Sequence, residues 1–252
     1  MLKIRIMPTL LFKDLGLVKG KGFDSWRRVG SVMQSIKVYN MREVDELIFL
    51  DISATDEGRR PDFVAIDELA DECFMPLTVG GGVRALEDFE QLLKVGADKV
   101  AINTAAVEQM DLIAEAARTF GSQCVVVSID ARRVSQGKFR VFTHSGKILV
   151  DIGPVELARR SEQSGAGEIL LTSIDRDGTM EGYDIDLIRE VAGSVSVPVI
   201  ASGGAGTYED FVKAIEVGKA SAVAAASIFH FTHQTPLGAK QFLASRGYEV
   251  RL

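Results

Sequence analysis

Two stretches of this chain repeat each other at a fixed distance, and that repeat constrains the fold more than any other feature. Moved by 122 residues, ELIFLDISAT from Glu46 overlies EILLTSIDRD from Glu168. The same shift lays PLTVGGGVRALEDF from Pro76 over PVIASGGAGTYEDF from Pro198. Gly81 meets Gly203, Gly82 meets Gly204, and Glu87, Asp88 and Phe89 meet identical residues. Self-similarity at this period speaks of one architecture built twice.

Short apolar runs alternate with amphipathic stretches along the whole chain. The runs Ile4–Leu10, Leu47–Leu50, Leu77–Val79, Val100–Ile102, Val125–Ile129, Ile169–Leu171, Val199–Ala201 and Ala222–Ala225 read as strands. Ala85–Val95, Met110–Thr119, Pro154–Ser164, Asp186–Ala192 and Tyr208–Val217 read as helices. Eight parallel strands with crossover helices either close into a barrel or form an open doubly wound sheet. Two like halves of four βα units each favour closure. The expectation is one α/β domain over residues 1–252, a (β/α)₈ TIM barrel with a two-fold half-barrel repeat; 252 residues is an ordinary size for it.

Composition removes several function classes. Hydrophobic residues make up 46% and charged residues 25%, as in a soluble protein with a substantial core. A net charge of −6 with mixed signs, and no basic tract, argues against nucleic acid. Cys73 and Cys124 lie far apart, and His144, His230 and His233 have no metal-ligand spacing, so no disulfide framework, metal or cofactor is expected. The N-terminal MLKIRIMPTLLF is basic and then apolar, but Asp14 interrupts it; it reads as a buried strand. No apolar run reaches a membrane span. A cytoplasmic protein is expected.

In such a barrel, chemistry sits at the C-terminal ends of the strands. There stand VGGGV (Val79–Val83), INTAA (Ile102–Ala106), SIDRDGT (Ser173–Thr179), SGGAG (Ser202–Gly206) and AAASIF (Ala224–Phe229). Glycines let backbone N–H groups approach an anion, and a following helix start adds its positive end. A lone Gly-Gly is most often only a turn. Two at repeat-related positions point to two phosphate sites across one mouth.

IRIMP, VKG, DELIFLDI, VGGG, GADKVAINTAA, FGSQ, GAGEILLTSIDRDGT, IASGGAG and SIFHF together resemble the cyclase subunit of imidazole glycerol phosphate synthase, over nearly the whole chain. The resemblance implies a barrel that takes ammonia from a glutaminase subunit in a heterodimer and uses it on a bisphosphorylated small molecule. It implies phosphate contacts from Gly82, Asn103 and Thr104 on one side, and from Asp177, Gly178, Gly204, Ala226 and Ser227 on the other. Lys19 matches a residue on a mobile loop covering the substrate. The family's general acid and base are aspartates ending strands one and five. Asp130 keeps its place in VVVSID, but the other falls on Leu11 in RIMPTLLFKD. An alkyl side chain moves no proton, and Asp14 has its own counterpart further along.

Glu46, Lys99 and Glu168 each directly precede an apolar run, and Arg5 sits early in the first. Charged groups often pair at the bottom of a barrel for stability alone, yet four converging there are costly to desolvate unless paired. In the resembled family these positions form a salt-bridged ammonia gate, and Asp98 matches a contact with the glutaminase. An intact gate under a mouth without its base is most similar to cyclase-like proteins of bacterial surface-polysaccharide pathways, which pass ammonia to an amidotransferase acting on an N-acetylated sugar. The alternatives are an active cyclase of histidine biosynthesis and a non-catalytic binding module for a phosphorylated metabolite.

Overall fold

The computed structural model describes residues 3–14, 16–134 and 137–252. Its strands are β1 (Arg5–Lys13), β2 (Gly16–Lys21), β3 (Asp24–Gly30), β4 (Leu47–Asp51), β5 (Leu77–Gly80), β6 (Lys99–Ile102), β7 (Val125–Arg133), β8 (Phe139–Thr143), β9 (Ile148–Val150), β10 (Glu168–Ser173), β11 (Val199–Ser202) and β12 (Ala222–Ala225). The helices are α1 (Val32–Met41), α2 (Phe63–Asp71), α3 (Leu86–Lys94), α4 (Thr104–Glu108), α5 (Asp111–Phe120), α6 (Pro154–Gln163), α7 (Ile185–Ala192), α8 (Tyr208–Glu216), α9 (Ser227–Phe231) and α10 (Pro236–Ser245).

Eight strands pair in parallel in the order β1, β4, β5, β6, β7, β10, β11, β12, and β12 returns to β1. The barrel is closed, and the open-sheet alternative is excluded. Each expected strand run overlaps one of these eight. The repeat reappears in three dimensions: α1 and α6, α3 and α8, and β5 and β11 start 122 residues apart.

The identical residues of the repeat have specific tasks. Asp88 and Asp210 each reach back from the first helical turn, accepting from Arg84 N and Ala85 N in one half and from Gly206 N and Thr207 N in the other. These bonds satisfy N–H groups that a helix start leaves without partners. Phe89 and Phe211 follow them into the core and are fully buried.

Two hairpins went unread in the sequence. β2–β3 continues antiparallel from β1, and β8–β9 continues antiparallel from β7. Both extend the first strand of their half-barrel, and both bend over the mouth. A Cβ on Gly146, in the second hairpin's turn, would lie 2.8 Å from the Phe23 ring of the first.

Register fixes an equivalence that matters below. Leu11 pairs with Leu50 and Val18, while Asp130 pairs with Thr172 and Phe142. Leu50 and Thr172 are 122 residues apart, so Leu11 and Asp130 hold the same rung of the two halves.

Candidate functional site: a polar mouth over an ionic ring

A cleft of about 1200 Å³ opens at the C-terminal ends of the barrel strands, lined from both halves. Gly82, Asn103 and Thr104 stand on it, as do Asp177, Gly178, Gly204, Ala226 and Ser227. Gly82 (φ +74°) and Gly204 (φ +117°) have left-handed backbones, and a Cβ there would lie 2.6 Å from Arg59 O or 2.3 Å from Gly182 O. Only glycine allows backbone to pack this closely. Asn103 and Ala226 precede the short helices α4 and α9, whose first N–H groups have no intrahelical acceptor. The mouth thus offers anion-binding donors on opposite sides.

Asp130 is half-buried within it. Burial, with Asp177 adding its charge, pushes the Asp130 carboxyl up to about 7, against a hydrogen bond from Thr172. Asn103 Nδ2 donates to Ser128 O at 3.0 Å and to Asp130 Oδ2 at 3.3 Å. A carboxyl poised near neutrality can both give and take a proton. On the equivalent rung Leu11 also lines the cleft, and its side chain can do neither.

Lys19 does not lie in a loop, as the resemblance implied. It is a strand residue of β2, buried, with Nζ donating to Thr9 O at 3.0 Å. Burial lowers its ammonium to about 8, with Asp177 opposing the shift. Asp177 in turn is raised by burial to about 6, held from going higher by Lys19. The buried Lys19 and half-buried Asp177 charges support each other.

At the opposite end of the barrel, four charged side chains close a ring. Arg5 Nη1 lies 2.7 Å from Glu46 and 2.8 Å from Glu168; Lys99 Nζ lies 2.9 Å from Glu46 and 3.1 Å from Glu168. Every cation touches both anions, and every anion touches both cations. Burial disfavours charge on Glu46, but Arg5 and Lys99 outweigh it and hold its carboxyl below the usual range. Burial likewise works against the Arg5 charge, and Glu168 and Glu46 overcome it to raise the guanidinium further. Asp98, next to Lys99, is exposed, and its Oδ2 accepts from Leu77 N at 2.8 Å.

A family model described as "Histidine biosynthesis protein" matches residues 5–235. The chain belongs to the histidine biosynthesis protein family. Among the described residues of this family member, no helix is long and apolar enough to cross a membrane.

Between ring and mouth lies an apolar cluster. Met7, Ile48, Ala101 and Leu170 follow Arg5, Glu46, Lys99 and Glu168 by two residues, the period at which strand side chains return to the same face. They cluster with Val126, Ile200, Ala222 and Ala224. Ala101, Leu170 and Ala224 also line the cleft, so this cluster reaches from the ring to the floor of the mouth.

Sequence reasoning passed over Asp51, Phe23 and Trp26, which also line the cleft. Asp51 Oδ1 accepts from Ser53 N, Ser53 Oγ and Ala54 N, and Oδ2 pairs with Arg59 at 3.2 Å. Its signal was present: a carboxylate directly ending a barrel-strand run. Phe23 and Trp26 reach the cleft only because the β2–β3 hairpin folds inward, and nothing local in their stretch announces that.

Proposed function

We propose that this family member is a barrel subunit that receives ammonia from a glutaminase at its N-terminal face and passes it to an amidotransferase acting on an N-acetylated sugar. The observation that carries this reading is the contrast between Leu11, on the rung equivalent to Asp130, and the complete ring beneath it. Cyclisation on the cyclase's pattern needs a carboxyl at both rungs, one as general acid and one as general base, and positioned proton transfer contributes about 10²–10⁴-fold in rate. A conduit needs neither group. It needs a gated entrance, an interior that keeps ammonia neutral, and a sealed wall. In water at neutral pH ammonia is mostly protonated and no longer nucleophilic. The apolar cluster suits a neutral molecule and disfavours an ion. Thr9 Oγ1, buried on the cleft side and without a hydrogen-bond partner among the described residues, offers the first polar stop above it.

On this reading Arg5, Glu46, Lys99 and Glu168 form the gate, and Asp98 meets the glutaminase. The two glycine-bearing sides of the mouth hold a phosphorylated ligand, and Lys19 belongs to the hairpin that covers it. The test combines the chain with a glutaminase subunit and glutamine. Association, and an altered release of ammonia with Lys99→Ala, support the conduit. Absence of association together with an inert Lys99→Ala rejects it. A second reading, an active cyclase, draws on the Asp130 carboxyl, pushed up to about 7, in a mouth lined by both glycine turns. Turnover of the bisphosphorylated substrate with ammonium salt at an ordinary enzymatic rate would favour it.

A further inference from the structure

Directly behind the Arg5–Glu46 edge of the ring lies a second ion pair, more deeply buried than the first. Lys240 on α10 and Asp45 meet at 3.1 Å, with side chains 3% and 1% exposed. Asp45 and Glu46 are successive residues facing opposite ways, Glu46 to the ring and Asp45 to α10. The other Asp45 oxygen accepts from Ile6 N at 2.9 Å, one residue from Arg5. Lys240 Nζ also donates to Glu43 O at 2.7 Å. Glu43 has a left-handed backbone (φ +48°), which costs a non-glycine residue about 1–2 kcal/mol and needs bracing. Two buried charges and three hydrogen bonds thus pin both chain segments that carry Arg5 and Glu46.

The neighbouring corner has the same backbone device without the cation. Asp98 precedes Lys99 as Asp45 precedes Glu46, and accepts from Leu77 N on the adjacent strand. Asp98 is exposed and has no ion-pair partner among the described residues. The ring is therefore braced from outside on its Arg5–Glu46 edge.

We propose that Lys240 and Asp45 are positioning residues for the ionic ring, fixing the Arg5–Glu46 edge from behind the barrel wall. Only the consequence for ammonia rests on the function proposed above; the positioning itself does not. The test is the carboxyl titration of Glu46, followed by NMR in the wild-type chain, Lys240→Met and Lys240→Arg. Lys240→Met loosens the edge and moves the Glu46 pKa upward by about one unit, in the range that loss of a close opposite charge produces. Lys240→Arg keeps it near the wild-type value. If Lys240→Met does not fold, Lys240→Gln, which retains a donor for Glu43 O, takes its place with the same expectation. A lowered melting temperature with an unmoved Glu46 titration would overturn the proposal, leaving the pair a mere fastening for α10. With a glutaminase bound, Lys240→Met should also raise ammonia escape to solvent several-fold. A shifted titration in a chain that binds no glutaminase would leave the positioning standing and remove the conduit.

Discussion

Leu11 and Asp130 sit on the same rung of β1 and β7, each beside a parallel neighbour and each at the root of an antiparallel hairpin. Their surroundings differ. Asp130 has the Thr172 hydroxyl across the parallel pair and Asn103 within reach, whereas Leu11 faces Leu50 and Val18. The Asp130 rung can hold and move a proton; the Leu11 rung presents only hydrocarbon. The glycine turns, by contrast, are matched in both halves, as Gly82 and Gly204 show. A repeated backbone preserves turn geometry, because that depends on main-chain conformation, while side-chain chemistry is free to diverge between its copies.

The largest test of this difference is Leu11→Asp. It should raise ammonia-dependent cyclisation of the bisphosphorylated substrate by about 10²–10⁴-fold, measured by product formation. No gain would mean that the first half lacks more than a carboxylate.

Asp130→Asn probes the other half through stability. The folded pKa of Asp130, about 7, lies above its ordinary value of 3.8, so the folded state holds the proton more tightly than the unfolded one. Asp130 therefore costs nothing below pH 3.8; its cost grows as pH rises, and is complete above about 7. Asparagine removes that cost. Urea unfolding should show the variant about 2–4 kcal/mol more stable than wild type at pH 8 and little different at pH 4. A gain independent of pH would sink the assignment of the burden to ionisation.

Gly82→Ala and Gly204→Ala examine what the halves share. Each forces a Cβ against backbone oxygen at left-handed φ, and each should cost about 1–3 kcal/mol and weaken inorganic phosphate binding. Gly204 should suffer more, since its contact is 2.3 Å against 2.6 Å. The smallest expected change in stability is that of Asp98→Asn, which keeps an oxygen for Leu77 N on the exposed lower face. Thermal unfolding should shift by less than about 0.5 kcal/mol, while glutaminase association weakens.

Much of this molecule was legible before folding was considered. The 122-residue repeat, strand-length apolar runs and glycine turns determined a two-fold barrel, because periodicity and backbone freedom are local properties of the chain. The resemblance to the cyclase placed Leu11 where that family has an aspartate, and the linear reading marked the four charges that precede or open strands. Their convergence was expected, but that each touches two opposite partners was decided by the tertiary structure, since residues from Arg5 to Glu168 meet only after the barrel closes. The linear reading missed the two hairpins, because their strands are stabilised by pairing with β1 and β7 rather than by their own pattern. It missed Lys240 and Asp45 for the same reason. They stand 195 residues apart, and their charges become significant only when burial removes the water that would otherwise screen them.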